Sequence, residues 1–467
     1  MASSRKSISA ELQGSVAARI APLLPNGSRI LVGLSGGVDS VVLLHLLAGL
    51  APRYSWRLAA LHVHHGISPN ADDWARFCAG LCADLNIPLT IEHVDINPLR
   101  SHGIEAAARK LRHAAFERQS SDFVALAHHA DDQVETLFLQ LLRGAGVRGA
   151  SAMAELMSLP RKRESCVVRP LLHCSRGAIL DYADEHSLEW IEDESNADAS
   201  YPRNFLRHRL LPLLGEKFPV YRETLSRSTQ HFAEANELLD DLARIDAPNL
   251  LLPTASGAGG EGRDSGLPVA RLQSLSPARA KNLLRYYLYQ QGAPMPQVVQ
   301  LADMLHQLCS AREDAAVCVA FGGDWQVHRY RGSVYALRYL GEFDRNALLC
   351  WMGQAELDWP ALHCCVAFRQ GTGQGISLAK LQAAPVTLRF RQGGETLRPN
   401  QNAATRTLKN LLQEHAVPPW RRDRLPLLYC GGELVCVVGV AIAAEYQAQS
   451  GEASIAVSLS STVQVGE

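Results

Sequence analysis

The sequence predicts an α/β protein: a doubly wound, mainly parallel sheet, followed by a mainly helical middle domain and a small α+β C-terminal domain. Three observations carry this. Between Arg29 and Leu172, near-continuous apolar runs of strand length alternate with amphipathic runs of helix length. The first strand runs directly into a turn with two glycines and then into a helix. After Leu210 the pattern becomes helical, and from about Val386 it shifts again, to short runs with a basic surplus. Alternation of the first kind marks βαβ units, whose strands are buried on both faces and whose crossovers are right-handed.

Taken in order, the expected strands are Ile30 to Leu34, Leu58 to Val63, Leu89 to Val94, Phe123 to Ala127 and Val167 to Leu171. The helical runs between them are Val38 to Leu50, Asp72 to Leu85, Ile104 to Gln119 and Asp132 to Leu142. Ser175 to Ser187 reads as a further helix. Ser276-Pro277 is a helix start, with a serine cap and proline in the first turn, and Gly292 ends that helix. Val317 to Phe321, Trp325 to Tyr330 and Ser333 to Leu337 read as short antiparallel strands. Ala255 to Gly266 is Gly/Ser-rich and reads as a mobile loop. The domain boundaries that follow are 1–216, 217–345 and 346–467.

Composition narrows the class. The chain has 467 residues and a formal charge of −1, so any nucleic-acid surface must be local rather than global. One stretch qualifies: Thr387 to Arg424 has eight basic residues against three acidic ones, which leaves +5. No run is long and apolar enough to span a membrane, and the opening residues lack the apolar core of a signal peptide. The eleven cysteines include no C-x-x-C pair. An odd, scattered set in a large chain points to a reducing, cytoplasmic compartment rather than a disulfide framework.

Ser35-Gly36-Gly37-Val38-Asp39-Ser40 carries the first chemistry. Two glycines let the backbone turn tightly and approach a ligand. The free N–H groups of the turn and the helix start favour an anion, and Ser35 and Ser40 add hydroxyls. No Gly-Lys-Ser/Thr follows, so this is not a Walker A loop. An acid at Asp39 beside phosphates implies Mg²⁺ between them.

His62-Val63-His64-His65-Gly66 ends the second strand, where ligands of open α/β sheets sit. The Ser35 to Ser40 turn resembles the SGG-x-DS loop of the ATP pyrophosphatase superfamily, and that resemblance implies His62 and His64 against the adenosine of ATP, with packing or a backbone hydrogen bond as the alternative. Glu105, Arg109 and Arg112 share one helix face. They form either a surface salt-bridge row or an arginine contact to phosphates. Asp132 and Glu135, after the fourth strand, share a face at a helix start. They are either a capping box or a carboxylate pair that holds an ammonium.

These residues together resemble the tRNA(Ile)-lysidine synthetase family. SGGVDS (Ser35 to Ser40) marks the wider ATP pyrophosphatase superfamily. HVHHG (His62 to Gly66), IEAAARKLR (Ile104 to Arg112), HHADDQVET (His128 to Thr136) and RGAGVRGASAMAE (Arg143 to Glu155) narrow it. RPLL (Arg169 to Leu172), WIEDESN (Trp190 to Asn196), RNFLRHRLLPLL (Arg203 to Leu214), FRQGGETLRP (Phe390 to Pro399) and LKNLLQEHAVPPWRRDRLPLL (Leu408 to Leu428) complete the set. His113 stands where the family often has tyrosine.

The resemblance implies an adenine nucleotide α-hydrolase-like sheet and the long, three-domain form. It implies that ATP adenylates the wobble cytidine of a CAU-anticodon isoleucine tRNA, and that the ε-amine of free L-lysine then displaces AMP. On that reading Asp39 serves Mg²⁺ and phosphate, and Arg109 or Arg112 the ATP phosphates. Asp132 and Glu135 serve lysine, with Asp193 and Asn196 as weaker neighbours. Arg389, Arg391, Arg398, Lys409, Arg421 and Arg422 meet tRNA phosphates. The oligomeric state stays open, a homodimer included.

Two rivals differ in class. A tRNA thiolase of the same superfamily uses cysteine pairs, which this chain lacks. Amidating ligases such as NAD or GMP synthetase lack the WIEDESN and RNFLRHR block. A silent nucleotide- or tRNA-binding module would have no need of Asp39, Asp132 and Glu135 together.

Overall fold

The structure is a computed structural model. It describes the chain except residues 1–7, 98–103, 159–164, 195–197, 199, 249–265, 313, 314, 316, 340, 363 and 462–467. Asn196 and almost all of the Gly/Ser-rich segment therefore lie outside the described residues, as does the side chain of Glu105. The chain forms two compact units, residues 1–242 and 243–467.

The first unit opens with helix α1 (Ile8–Ile20). Strands and helices then alternate: β1 (Arg29–Gly33), α2 (Val38–Tyr54), β2 (Arg57–His64), α3 (Ala71–Asp84) and β3 (Leu89–His93). There follow α4 (Ile104–Arg118), β4 (Phe123–Ala125), α5 (Ala130–Leu142), α6 (Val147–Ala150), β5 (Leu156–Ser158), β6 (Cys166–Val168) and α7 (Arg176–Glu185). The six strands form one sheet in the order β3-β2-β1-β4-β6-β5. All neighbours are parallel except β5 on β6. The doubly wound, mainly parallel sheet is thus as expected. Sequence reasoning missed β5: three residues at an edge are too few to show a period of two. It also ran the last parallel strand on to Leu171, whereas β6 stops at Val168, two residues before Pro170.

Apolar side chains bury both faces. Val32, Val42, Leu46, Val168 and Ile179 pack in one layer, and Leu31, Leu61, Phe116 and Val124 in the other. The chain crosses from one side of β1 to the other between β3 and β4, which is the topological switch of the sheet. In open α/β sheets ligands sit at the carboxyl ends of the strands beside such a switch, here β1 and β4. Helix α8 (Pro202–Phe205), a π-helical turn (Leu206–Leu210), α9 (Leu211–Lys217) and α10 (Tyr221–Asp246) follow.

In the second unit, α11 (Val269–Ser274), α12 (Pro277–Gln290) and α13 (Val298–Ser310) pack on an antiparallel sheet. Its strands are β7 (Leu267–Pro268), β8 (Val317–Phe321), β9 (Trp325–Tyr330) and β10 (Ser333–Arg338), in the order β7-β10-β9-β8. The three expected antiparallel strands are present. The last segment is built from short antiparallel strands around Trp359, Val366 and Phe390. Trp420 joins the two parts, its ring lying 4.6 Å from His328, 5.9 Å from Tyr330 and 5.5 Å from Tyr335.

Candidate active site

The turn after β1 gathers backbone N–H groups and hydroxyls at the start of α2. Ser40 Oγ accepts N–H bonds from Ser35 and Gly36, both at 3.2 Å, and donates to the Gly37 carbonyl at 2.9 Å. The Gly37 N–H donates to Ser35 Oγ at 3.3 Å. Three backbone N–H groups and two hydroxyls thus converge where α2 begins. Val38 is buried in the core, so it offers only its backbone.

Gly36 has φ +91°, and a Cβ there would stand 2.6 Å from Ile191 Cδ1. The Ile191 N–H donates to the Gly36 carbonyl at 2.9 Å, so the WIEDESN segment lies on the loop. Gly36→Ala meets both a left-handed backbone and this clash. It is expected to lose about 1–3 kcal/mol of stability, together with ATP binding. Urea unfolding and nucleotide titration measure the two effects.

His62 is buried, and its Nδ1–H donates to the Leu34 carbonyl at 2.9 Å. Burial pushes its pKa down, against the opposing pull of that bond. His62 therefore props the strand end that leads into the loop, the backbone-bonded alternative of the two weighed for it. His64 Nε2 lies 3.0 Å from Asp72 Oδ1, and its ring is 4.4 Å from that of His93. With His65, Asp95 and Asn97 they line a cavity of about 620 Å³ at the ends of β2 and β3. Burial, and then the Arg112 charge, push His65 down to about 4.

Across the switch point, His129 caps α5 and its N–H donates to Asp132 Oδ2 at 3.0 Å. His129 Nε2 stands 3.7 Å from Asp39 Oδ1 and 3.5 Å from Asp132 Oδ2. The phosphate-loop acid and the α5 acids thus meet at one imidazole. Burial raises the Asp39 pKa, and Asp132 adds to it. His129, Arg176 and Arg207 oppose the rise. Asp39 Oδ1 is buried and has no hydrogen-bond partner. Among the described residues no group of three potential ligands forms a metal cage. Mg²⁺ needs no cage: one carboxylate plus phosphate oxygens and water suffice, and an orphaned carboxylate oxygen beside the glycine turn fits that.

Asp132 and Glu135 do come together, but they are not free. Glu135 Oε2 accepts from Arg203 Nε at 2.6 Å and Oε1 from Arg207 Nε at 2.7 Å, with Arg207 also 3.1 Å from Oε2. Asp132 Oδ1 accepts from Arg203 at 2.8 Å. Glu135 is 0% exposed; Asp132, at 8%, is the more accessible. Burial works against ionised Asp132, yet the His129 and Arg203 charges hold its carboxyl below the usual range. The sequence reading gave Arg203 and Arg207 no role. Their spacing of four was visible, but nothing in the chain pairs them with acids some seventy residues away.

Arg109 and Arg112 are exposed on α4. With Arg169 they form one cationic region, and all three charges act against protonation of His113 after burial does. Arg169 is buried and bonds the Ala154 carbonyl at 2.6 Å; burial, then Arg109, push it down to about 10. Asp193 is half-buried beyond Ile191.

The expected tRNA residues divide. Arg389 lies over the Tyr429 ring at 4.8 Å. Arg391 sits 3.7 Å from Asp423 and Arg398 3.2 Å from Glu445, while Arg422 bonds the Val417 carbonyl at 2.9 Å. All four are half-buried; Lys409 and Arg421 are exposed.

Comparison with known proteins agrees with this layout. A family described as PP-loop domain matches residues 9–214. The TilS substrate binding domain matches 267–335 and the TilS substrate C-terminal domain 386–459. The chain is 42% identical over 431 residues to a tRNA(Ile)-lysidine synthase of Nitrosomonas europaea, with 92% of each chain covered. It is 40% identical to one of Aromatoleum aromaticum, covering 94% of this chain and 98% of that one. It is 37% identical to one of Coxiella burnetii, with 92% of each covered. A glycine turn, an orphaned acid and a second acid cluster sharing one histidine, on a chain matched almost end to end by these relatives, place it in the tRNA(Ile)-lysidine synthase family.

Proposed function

We propose that this enzyme converts the wobble cytidine of a CAU-anticodon isoleucine tRNA to lysidine, using ATP and free L-lysine. The observation that carries the reading is the meeting of Asp39, His129 and Asp132 beside the glycine seat. It supports a reading in which an anion site and an amine-seating acid share one switch point.

The chain's groups divide the work. The Ser35–Ser40 N–H groups and hydroxyls hold the leaving diphosphate. The β2/β3 cavity, within the size range of small-ligand sites, takes the adenosine. Asp39 would hold Mg²⁺, which adds charge neutralisation at the phosphates. The cytidine C2 oxygen attacks the α-phosphorus, the bond to the bridging oxygen breaks, and pyrophosphate carries off its electron pair. Lysine arrives as an ammonium, with a free pKa of about 10.4. Asp132, the more open acid, seats it, and the ammonium loses its proton to water at that seat, so that a neutral amine attacks C2. AMP then departs with the C2–O pair. Glu135 holds Arg203 and Arg207 in place around that seat.

The segments 217–345 and 346–467 supply the tRNA surface, with Lys409 and Arg421 its exposed cations. Salt is expected to weaken that binding steeply. Among the described residues no helix is long and apolar enough to cross a membrane.

Incubation with ATP, lysine and the CAU tRNA tests the proposal. AMP, pyrophosphate and a lysine-modified cytidine are expected in equal amounts. AMP formation without base modification would refute it.

A further inference from the structure

We propose that Arg176 is a second anchor for the β,γ-diphosphate of ATP, gripping from the start of α7 the group that the glycine loop grips from the start of α2. This rests on the adenylation reading and adds a residue to it.

The placement is set by backbone. Ser175 caps α7 and Arg176 is its first residue. The Ala130 N–H donates to the Cys174 carbonyl at 2.9 Å, which ties the start of α7 to the start of α5. The 3.7 Å approach of His129 to Asp39 ties the start of α5 to that of α2. Three helix N-termini therefore converge, each favouring negative charge.

A small cavity of about 150 Å³ lies beside the starts of α5 and α7, lined in part by Asp131, Glu135, Arg176, Arg207 and Arg222. Its charges pair off with one left over. Arg207 is bound to Glu135, and Arg222 donates to Asp131 Oδ2 at 2.9 Å. Arg176 is half-buried and makes no hydrogen bond or ion pair with any described residue. A partly desolvated guanidinium without an anion is unfavourable, and its fork matches phosphate oxygens. Its charge is felt at Asp39, the acid of the phosphate loop. The anion that this chemistry brings to Asp39 is the diphosphate. When the bond from the α-phosphorus to the bridging oxygen breaks, the electron pair settles on that oxygen. A fixed guanidinium stabilises this developing charge, while the new bond forms between the phosphorus and the attacking base oxygen.

The test uses the full-length protein and calorimetric titration with ATP, AMP and inorganic pyrophosphate. Arg176→Ala is expected to weaken ATP and pyrophosphate roughly tenfold or more, the worth of a charge-assisted bond. AMP, which lacks the diphosphate, should bind as in the wild type, and Arg176→Lys should recover part of the loss. Unchanged ATP and pyrophosphate binding overturns the inference. So does a rise in the lysine KM alone, which would assign Arg176 to the lysine carboxylate, or a loss confined to tRNA. Equal weakening of AMP overturns it as well, because that signals a disturbed fold. If the wild type binds no ATP, it is the adenylation reading itself that fails.

Discussion

Asp39→Asn should cut AMP and pyrophosphate release by roughly 10²–10³-fold, the usual scale for removing one preorganised charge-stabilising group. The variant should nevertheless melt no lower than the wild type. Asp39 sits with a buried, unpartnered Oδ1 and a pKa raised chiefly by burial. A carboxyl whose folded pKa lies above its unfolded value destabilises the fold once ionised at neutral pH. Asparagine keeps the shape and removes that penalty. Activity lost with stability kept or gained is the signature of a residue held for chemistry. A marked fall in melting temperature would assign Asp39 to the scaffold instead.

Glu135→Ala is expected to behave in the opposite way. Glu135 is fully buried and holds the Nε–H groups of both Arg203 and Arg207. Removing it leaves two guanidinium groups with Asp132 as their one remaining acid among the described contacts. Breaking a buried pair from one side costs about 3–5 kcal/mol. The two arginine side chains are 26% and 24% exposed, so water recovers part of this and the low end, about 3 kcal/mol, is expected. Urea unfolding at pH 7 measures it, and Glu135→Gln should fall between wild type and alanine. A change below about 0.5 kcal/mol, the level of an ordinary surface substitution, would show that the arginine fork does not support this site. Asp132→Asn provides the contrast: a higher lysine KM with a smaller loss of stability.

These two acids show where sequence reading worked and where it stopped. The glycine loop was legible because its chemistry is local: a strand, two glycines, an acid and a helix start, all within six residues. The α5 acids were legible as a pair because helical spacing puts them on one face. Their saturation by Arg203 and Arg207 was not, since those arginines arrive from beyond α7, Arg203 on α8 and Arg207 on the π-helical turn. His62 looked like a ligand contact because strand ends carry ligands. Only the fold showed its Nδ1 on the Leu34 carbonyl. The basic C-terminal stretch was real as composition, but folding pairs or stacks most of its arginines; Lys409 and Arg421 are exposed.

The sequence by itself determined the alternation of parallel strands and helices in the first unit, the position of the glycine turn and the family of the chain. Each of these follows from hydrophobic period, glycine and short motifs, which act over a few residues. Only the tertiary structure decided which charge faces which: Arg203 and Arg207 on Glu135, Arg222 on Asp131, and His129 between Asp39 and Asp132. Coulomb energy depends on separation in space and on burial, and chain spacing encodes neither.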